Sequence, residues 1–177
     1  MDEAKKILRV EHNLAWAPEP NESQLVLSSR LPPLELVTTA FALAFVGDRL
    51  LMTNLTRRGW EIPGEHVEPG ERPEEAARRE VFEEALTTLG PLHLLGYQHL
   101  RLSGPKPASY RYPYPDSYQV FYWAHIATFS DFLPTAETQG RALFSPLEAR
   151  TLSWVQHFRE LYEAALLMAT SEANGRG

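Results

Sequence analysis

The 177-residue sequence contains no cysteine, so disulfide bonds and thiolate-bound zinc are excluded. It also lacks an uninterrupted apolar stretch of the ~20 residues that a transmembrane helix requires. The charged segment formed by residues 1–10 does not resemble a signal peptide. We therefore expect a cytoplasmic protein with no membrane partner.

Positive charge is in short supply, because 17 Lys and Arg stand against 23 Asp and Glu, for a formal net charge of −6. This balance argues against the broad phosphate-neutralising surface of nucleic-acid binding proteins, so we expect no nucleic-acid partner. A small anionic substrate is still compatible, since a bound divalent cation can supply positive charge locally.

No internal repeat or low-complexity tract is present, and 44% apolar and 23% charged residues are typical of a globular protein. The length suits one compact domain with a sizeable core. We predict a single domain over residues 1–177, in which residues 1–34 form an N-terminal extension.

The pattern along the chain predicts mixed strands with few helices, and thus an α/β or α+β fold with a mixed sheet. Residues 36–45 and 50–55 are predicted to form a hairpin around Gly47 and Asp48, followed by a structured loop over 56–72. The remaining elements are predicted strands at 92–102, 118–129 and 141–144, an aromatic loop at 103–117, and a closing amphipathic helix at 153–170 with Ser153 as its N-cap.

A helix is predicted from Pro73 to Leu89, where Gly90 and Pro91 end it. At about 100° per residue, three carboxylates fall on one side of this helix. They are Glu80, Glu83 and Glu84. The apolar residues, which are predicted to face the core, fall on the other side. They are Val81, Phe82, Ala85, Leu86 and Leu89.

Like charges three and four residues apart destabilise a helix, and a hard divalent cation removes that conflict. Magnesium prefers carboxylate oxygens together with water and substrate phosphates, so Glu80 and Glu84, one turn apart, could share an ion. An acidic stretch taken by itself is more often a solvated helix face than a metal site. The surrounding sequence is needed to decide between these interpretations.

Residues 60–71 read WEIPGEHVEPGE, and residues 78–85 read RREVFEEA. Together they resemble the Nudix box, in which a loop with Gly and Glu precedes an Arg-Glu-apolar-x-Glu-Glu helix. The positions that match at the family's spacing are Glu71, Arg79, Glu80, Val81, Glu83 and Glu84. The resemblance covers residues 60–87 and implies a mixed sheet sandwiched between helices, with a loop-helix-loop catalytic motif.

Two positions depart from the box, because Glu65 and Leu86 stand where the family has glycine. Glu65 would be strained if that position requires a positive φ. Leu86 suggests a helix that continues for another turn and is capped by Gly90. Gly64 is retained, and its carbonyl often reaches the metal in family members.

The resemblance implies that Glu80 and Glu84 bind Mg²⁺, for which Mn²⁺ can substitute, with Glu83 as a third ligand or a holder of metal-bound water. Arg79 and Glu71 would pair and brace the loop against the helix. The general base would lie on the helix or on a later loop, where Glu137 is the candidate; a solvated surface residue is an equally good interpretation of Glu137.

Selectivity for the substrate must come from outside the box. The candidates that could stack on a base are Tyr110, Tyr112 and Tyr114, for which packing in the protein interior is the alternative. Arg57 and Arg58 are candidate phosphate clamps, although surface arginines often have no specific role.

The implied activity is a magnesium-dependent pyrophosphohydrolase acting on a small nucleotide. The sequence leaves open ADP-ribose, other nucleotide sugars, oxidised nucleoside triphosphates and dinucleoside polyphosphates, and it also leaves a homodimer open. The alternative from another functional class is a nucleotide-binding or regulatory module with weak turnover, for which the changes at Glu65 and Leu86 are the argument.

Overall fold

The computed structural model describes residues 5–174. Its strands are β1 (Lys5–His12), β2 (Asn21–Ser28), β3 (Val37–Val46), β4 (Arg49–Leu55), β5 (Gly59–Glu61), β6 (Gly64–His66), β7 (Thr87–Leu89), β8 (His93–Leu102), β9 (Asp116–Phe129) and β10 (Thr138–Phe144). Its helices are α1 (Pro73–Ala85), α2 (Pro146–Ala149), α3 (Ser153–His157) and α4 (Arg159–Asn174), with a 3-10 turn at Leu34–Leu36. Among these helices, none combines the length and the apolar character needed to cross a membrane.

The sheet has ten strands, seven of which follow the order β1-β2-β8-β9-β3-β4-β10, while the short strands β5, β6 and β7 pair with β4, β3 and β9. Strands β3 and β9 run parallel, whereas the pairs β1–β2, β2–β8 and β8–β9 are antiparallel. The predicted mixed sheet is confirmed. The predicted N-terminal extension supplies β1 and β2, so it contributes two strands to the sheet.

The two faces of the sheet carry side chains of different size, because successive residues of a strand point to opposite faces. On β3, Leu43 and Phe45 face α3 and α4 in a core of large side chains. The opposite face of β3 presents Ala40, Ala42 and Ala44 to α1. Small side chains at this contact let α1 lie close to the sheet, which brings polar groups of the helix within reach of the strands.

Helix α1 is shorter than predicted, so the extension to Leu89 is wrong. Leu86 adopts a left-handed backbone (φ 47°, ψ 46°) and terminates the helix, after which β7 begins. Gly90 is therefore not the cap. The Arg141 guanidinium donates to the carbonyls of Ala85 at 2.5 Å and Leu86 at 3.1 Å. These bonds satisfy carbonyls that a helix end leaves without a partner.

The closing helix predicted over residues 153–170 is divided into α3 and α4. The division falls at Phe158, whose backbone leaves the helical region (φ −107°, ψ 36°) while its ring packs 5.5 Å from that of Phe121. Ser153 is not an N-cap, because Leu152 holds that position without a side-chain hydrogen bond. Tertiary packing of an aromatic ring thus overrides the continuous helical pattern.

Candidate active site

Glu80, Glu83 and Glu84 lie on one side of α1, as predicted, where they line one cavity, but they differ in burial. Glu80 is only 6% exposed and Glu84 is half-buried, so both lie on the side of the helix that packs against the sheet. The side chain of Glu83 is 58% exposed. Phe82, predicted to face the core, is 47% exposed. Val81 and Ala85 are buried as predicted, and small residues such as Ala77 complete the buried stripe, since alanine packs where the helix lies close to the strands.

Glu84 is held by two donors from the sheet. The Thr53 hydroxyl donates to Oε2 at 2.9 Å, and the Gly64 N–H donates to Oε1 at 3.5 Å. Burial raises the pKa of Glu84 to about 7, although both hydrogen bonds oppose the shift. A nearby cation would offset the cost of keeping this carboxylate ionised.

Glu80 lies one turn earlier on α1 and is also buried. Burial raises the pKa of Glu80, the hydrogen bond from Arg79 lowers it, and the negative charges of Glu83 and Glu65 raise it further. The carboxylates are therefore close enough to influence one another. This arrangement concentrates negative charge on one wall of the site.

The loop before α1 is tied to the helix by a bidentate ion pair. Arg79 Nε and Nη2 donate to the two oxygens of Glu71 at 2.9 and 3.0 Å, and Nη2 also donates to the His66 carbonyl at 3.2 Å. The hydrogen bond from Arg79 lowers the pKa of Glu71, whose side chain is 14% exposed. The same guanidinium donates to Glu80 and Glu83, so one residue links the loop to two carboxylates.

Gly64 is required by the space around it and by its backbone (φ 156°). A Cβ at this position would lie 2.3 Å from Phe41 Cδ1 and 2.5 Å from the Ala40 carbonyl oxygen. Glu65, in contrast, is an ordinary residue of β6 paired with Ala40. The concern that Glu65 needs a positive φ is therefore wrong, and its side chain is free to extend from the strand.

The carboxylate cavity, of about 820 Å³, lies beside the C-terminal half of α1. It brings together half of the twelve candidate site residues that the sequence analysis named. Its lining consists of Leu55, Thr56, Arg57, Arg58, Glu65, Glu80, Glu83, Glu84, Thr135, Ala136, Glu137 and Thr138. Thr56 donates its N–H to the Glu137 carbonyl at 2.8 Å, which fixes the loop before β10 to the end of β4.

The aromatic cavity, of about 260 Å³, adjoins the carboxylate cavity and shares Arg58 and Glu65 with it. Its other lining residues are Trp16, Thr38, Thr39, Phe41, His66, Gln98, Leu100, Tyr110, Tyr112, Ser117 and Gln119. The structure does not bring Tyr114 to this cavity, because its hydroxyl donates to the Gly104 carbonyl.

Several lining residues were missed at the level of sequence. Glu65 and His66 belong to the box loop and could have been found from their position. Trp16, Gln98 and Gln119 come from separate segments and carry no motif. Only the pairing of β2, β8 and β9 brings such distant positions to one surface.

The chemistry of the carboxylate cavity suits a hard divalent cation. Glu80, Glu83 and Glu84 offer oxygen donors, and the Gly64 backbone lies beside them. Within residues 5–174, no three acidic or histidine side chains converge closely enough to enclose an ion by themselves. Magnesium usually takes one or two protein carboxylates and completes its shell with water and phosphate oxygens, so an open set of this kind fits it.

A model of the NUDIX domain family matches residues 36–165. No curated protein matches the sequence. Among solved structures, a mutant of the Bacillus subtilis pyrophosphohydrolase BsRppH is 25% identical, with a TM-score of 0.65 over 94% of this chain and 98% of that one. A NUDIX hydrolase from Nitrosomonas europaea is 27% identical, with a TM-score of 0.53 over 72% and 88%. A C. elegans Ap4A hydrolase, 20% identical with a TM-score of 0.51 over 71% and 92%, shares the fold.

Proposed function

The chain belongs to the Nudix family of hydrolases, and we propose that it is a magnesium-dependent pyrophosphohydrolase that acts on a small nucleotide. The observation that carries the proposal is the carboxylate cavity, where five glutamates and two arginines line one space. The similarity to a pyrophosphohydrolase over nearly the whole of both chains supports the same reaction class.

Glu80 and Glu84 are the residues that would hold Mg²⁺, with Glu83 and the Gly64 carbonyl as further donors, and Mn²⁺ would substitute. Their burial leaves two carboxylates in a setting that disfavours the ionised form, and a cation reverses that preference. When bound, magnesium polarises phosphate oxygens and lowers the pKa of water.

The remaining charged residues of the carboxylate cavity bind substrate and move the proton. Arg57 and Arg58 would clamp the phosphates, since a guanidinium matches phosphate oxygens in geometry and charge. Water attacks one phosphorus, the bridging P–O bond breaks, and a carboxylate accepts the proton of the water. Glu83 on α1 and Glu137 on the loop before β10 are the candidates for this base.

Arg79 and Glu71 would act as positioning residues. Their bidentate pair fixes the box loop against α1, and the loop contains Gly64, whose N–H reaches Glu84. Outer partners of this kind commonly orient the groups that bind a metal.

The nucleoside part of the substrate would occupy the aromatic cavity. Tyr110 and Tyr112 provide rings at 5.6 Å from each other, and Trp16 contributes a third, 55% exposed. Gln98 and Gln119 contribute amides beside them. Aromatic faces and neutral hydrogen-bonding groups match a nucleobase, which has both a π-face and a polar edge.

A panel of nucleotide sugars, nucleoside triphosphates and dinucleoside polyphosphates tests the proposal, with products separated by chromatography in Mg²⁺ and in chelator. We expect two phosphate-bearing products from at least one compound, in Mg²⁺ alone. The matched control is Glu163→Gln, because Glu163 pairs with Arg150 away from both cavities. Tight binding of one nucleotide without turnover of any compound would instead indicate a binding module.

A further inference from the structure

Glu65 and Arg58 stand at the boundary of the two cavities, since both residues line both spaces. Glu65 occupies a position where the box has glycine, so the family pattern supplies no role for its side chain. Glu65 Oε2 lies 3.5 Å from Arg58 Nη2. The carboxylate therefore influences the position of an arginine that faces the proposed diphosphate site.

The other oxygen of this carboxylate faces the aromatic cavity. Glu65 Oε1 forms a hydrogen bond with His66 Nδ1 and accepts the His66 N–H at 3.2 Å. His66 Nε2 lies 3.1 Å from the Tyr112 hydroxyl, and the two rings stack with centroids 5.6 Å apart. One neutral tautomer satisfies both ring bonds, because Nδ1–H donates to Glu65 while Nε2 accepts from Tyr112.

These contacts form a continuous chain from the aromatic cavity to the carboxylate cavity, in the order Tyr112, His66, Glu65, Arg58. The side chains of Glu65 and His66 are 44% and 54% exposed. Tyr112 is 44% exposed. A ring bound in the aromatic cavity would cover these groups, and hydrogen bonds strengthen when water is removed from them.

We propose that Glu65, His66 and Tyr112 are positioning residues that couple occupancy of the aromatic cavity to the placement of Arg58 at the diphosphate. The proposal rests on the proposed function. A substrate whose ring fills the aromatic cavity orders Tyr112, and through His66 it fixes both oxygens of Glu65. The chain then holds Arg58 in one orientation, which raises kcat for substrates that contain the ring.

A double-mutant cycle on the nucleotide with the highest turnover tests the coupling. Tyr112→Phe keeps the ring and removes the hydroxyl, and Glu65→Gly restores the glycine of the box. We expect each change to lower kcat about three- to tenfold, the effect of one lost hydrogen bond, with little change in KM. We expect the kcat of the double variant to equal that of the less active single variant, since one break interrupts the whole chain of contacts.

Two further variants make the result specific. Tyr114→Phe removes a hydroxyl that bonds to Gly104 outside the cavity and is expected to leave kcat unchanged. Glu65→Gln retains acceptor oxygen and is expected to recover most of the activity that Glu65→Gly loses.

Single effects that multiply in the double variant, or that fall on KM alone, would overturn the coupling while leaving the proposed function in place. Absence of turnover by the unmodified protein on every nucleotide would overturn both.

Discussion

The two adjoining cavities differ in the chemistry of their walls and in how the chain builds them. The carboxylate cavity takes its acidic groups mainly from β6 and α1, and its lining is dominated by charge. The aromatic cavity collects tyrosine, tryptophan and amide side chains from distant segments. Under the proposed function, the first would engage any pyrophosphate, whereas the second would meet only the organic part of a substrate.

This difference indicates that one cavity serves metal and phosphate binding and the other serves recognition of the organic group. Metal and phosphate impose a fixed donor set, so the charged residues follow one local pattern in the sequence. Recognition of an organic group allows many solutions, and a site discriminates by what it binds in the transition state. The comparison therefore predicts that changes in the carboxylate cavity reduce turnover of all substrates and that changes in the aromatic cavity act selectively.

The largest effect is expected from Glu84→Gln. The substitution keeps the shape and the bond from Thr53 but removes a charge that would bind the metal. Metal stabilisation of a transition state is worth several kcal/mol, so kcat should fall on the order of a thousandfold. Turnover and thermal unfolding should be measured together. A folded variant with a near-normal rate would contradict the metal assignment and the proposed difference between the two cavities.

When metal is absent, the same substitution is expected to stabilise the folded protein, although it lowers kcat. The pKa of Glu84 is raised from its ordinary value of 4.5 to about 7, so the folded state favours the neutral carboxyl. The contribution of the neutral Glu84 carboxyl to folding stability is fully present below pH 4.5 and is lost as the pH rises through 7. In chelator, Glu84→Gln should therefore gain on the order of 3 kcal/mol relative to the unmodified protein between pH 4.5 and 8.

Denaturant unfolding at several pH values measures this effect, and Glu163→Gln provides a control of opposite sign. The hydrogen bond from Arg150 lowers the pKa of Glu163, so its contribution is present above the ordinary carboxyl pKa and is lost in acid. A Glu84→Gln difference that does not change with pH would show that burial of this carboxylate is not costly.

A smaller effect is expected from Glu71→Gln, which removes the charge that pairs with Arg79. Loss of an outer partner typically costs 10–100-fold in metal affinity or activity. We expect kcat to fall by about that amount and the Mg²⁺ concentration for half-maximal rate to rise. The neighbouring Glu68→Gln is the control, because Glu68 is exposed. Equal rates in the two variants would show that Glu71 does not brace the loop against α1.

The smallest effect concerns Leu86, where the box has glycine. Its backbone is already left-handed, so Leu86→Gly should leave kcat within about twofold and unfolding free energy within about 1 kcal/mol. Leu86→Val should destabilise by at least about 1–2 kcal/mol, because a β-branched residue adopts this conformation poorly. Urea unfolding of both variants decides the point, and a large kcat loss in Leu86→Gly would give the leucine side chain a role in the site.

The carboxylate cavity could be anticipated from sequence because its glutamates lie within one loop and one helix. The helical periodicity identified Val81 and Ala85 as buried but was wrong for Phe82, which is exposed. It weighted large apolar residues such as Phe82, whereas the sheet presents alanines to the helix and selects small residues there. The end of the helix was also misplaced, since the bonds from Arg141 come from a distant strand.

The aromatic cavity could be anticipated only in part. Tyr110 and Tyr112 stood out as rings in a proline-rich loop, but nothing local separated them from Tyr114. The strand register that places Gln98 opposite Gln119 is a tertiary property. Trp16 reaches the cavity from the connection between β1 and β2, outside the part of the chain that matches the family model.

The most direct test of the division between the cavities compares a preferred nucleotide with inorganic tripolyphosphate, which has no ring. Stacking on an aromatic residue contributes about 1–3 kcal/mol per base. Tyr110→Ala or Tyr112→Ala should therefore lower kcat/KM for the nucleotide roughly ten- to a hundredfold and that for tripolyphosphate less than about threefold. Tyr114→Ala should affect neither substrate, and Glu84→Gln should reduce both. Equal losses on both substrates in the tyrosine variants, or no loss on either, would contradict the account.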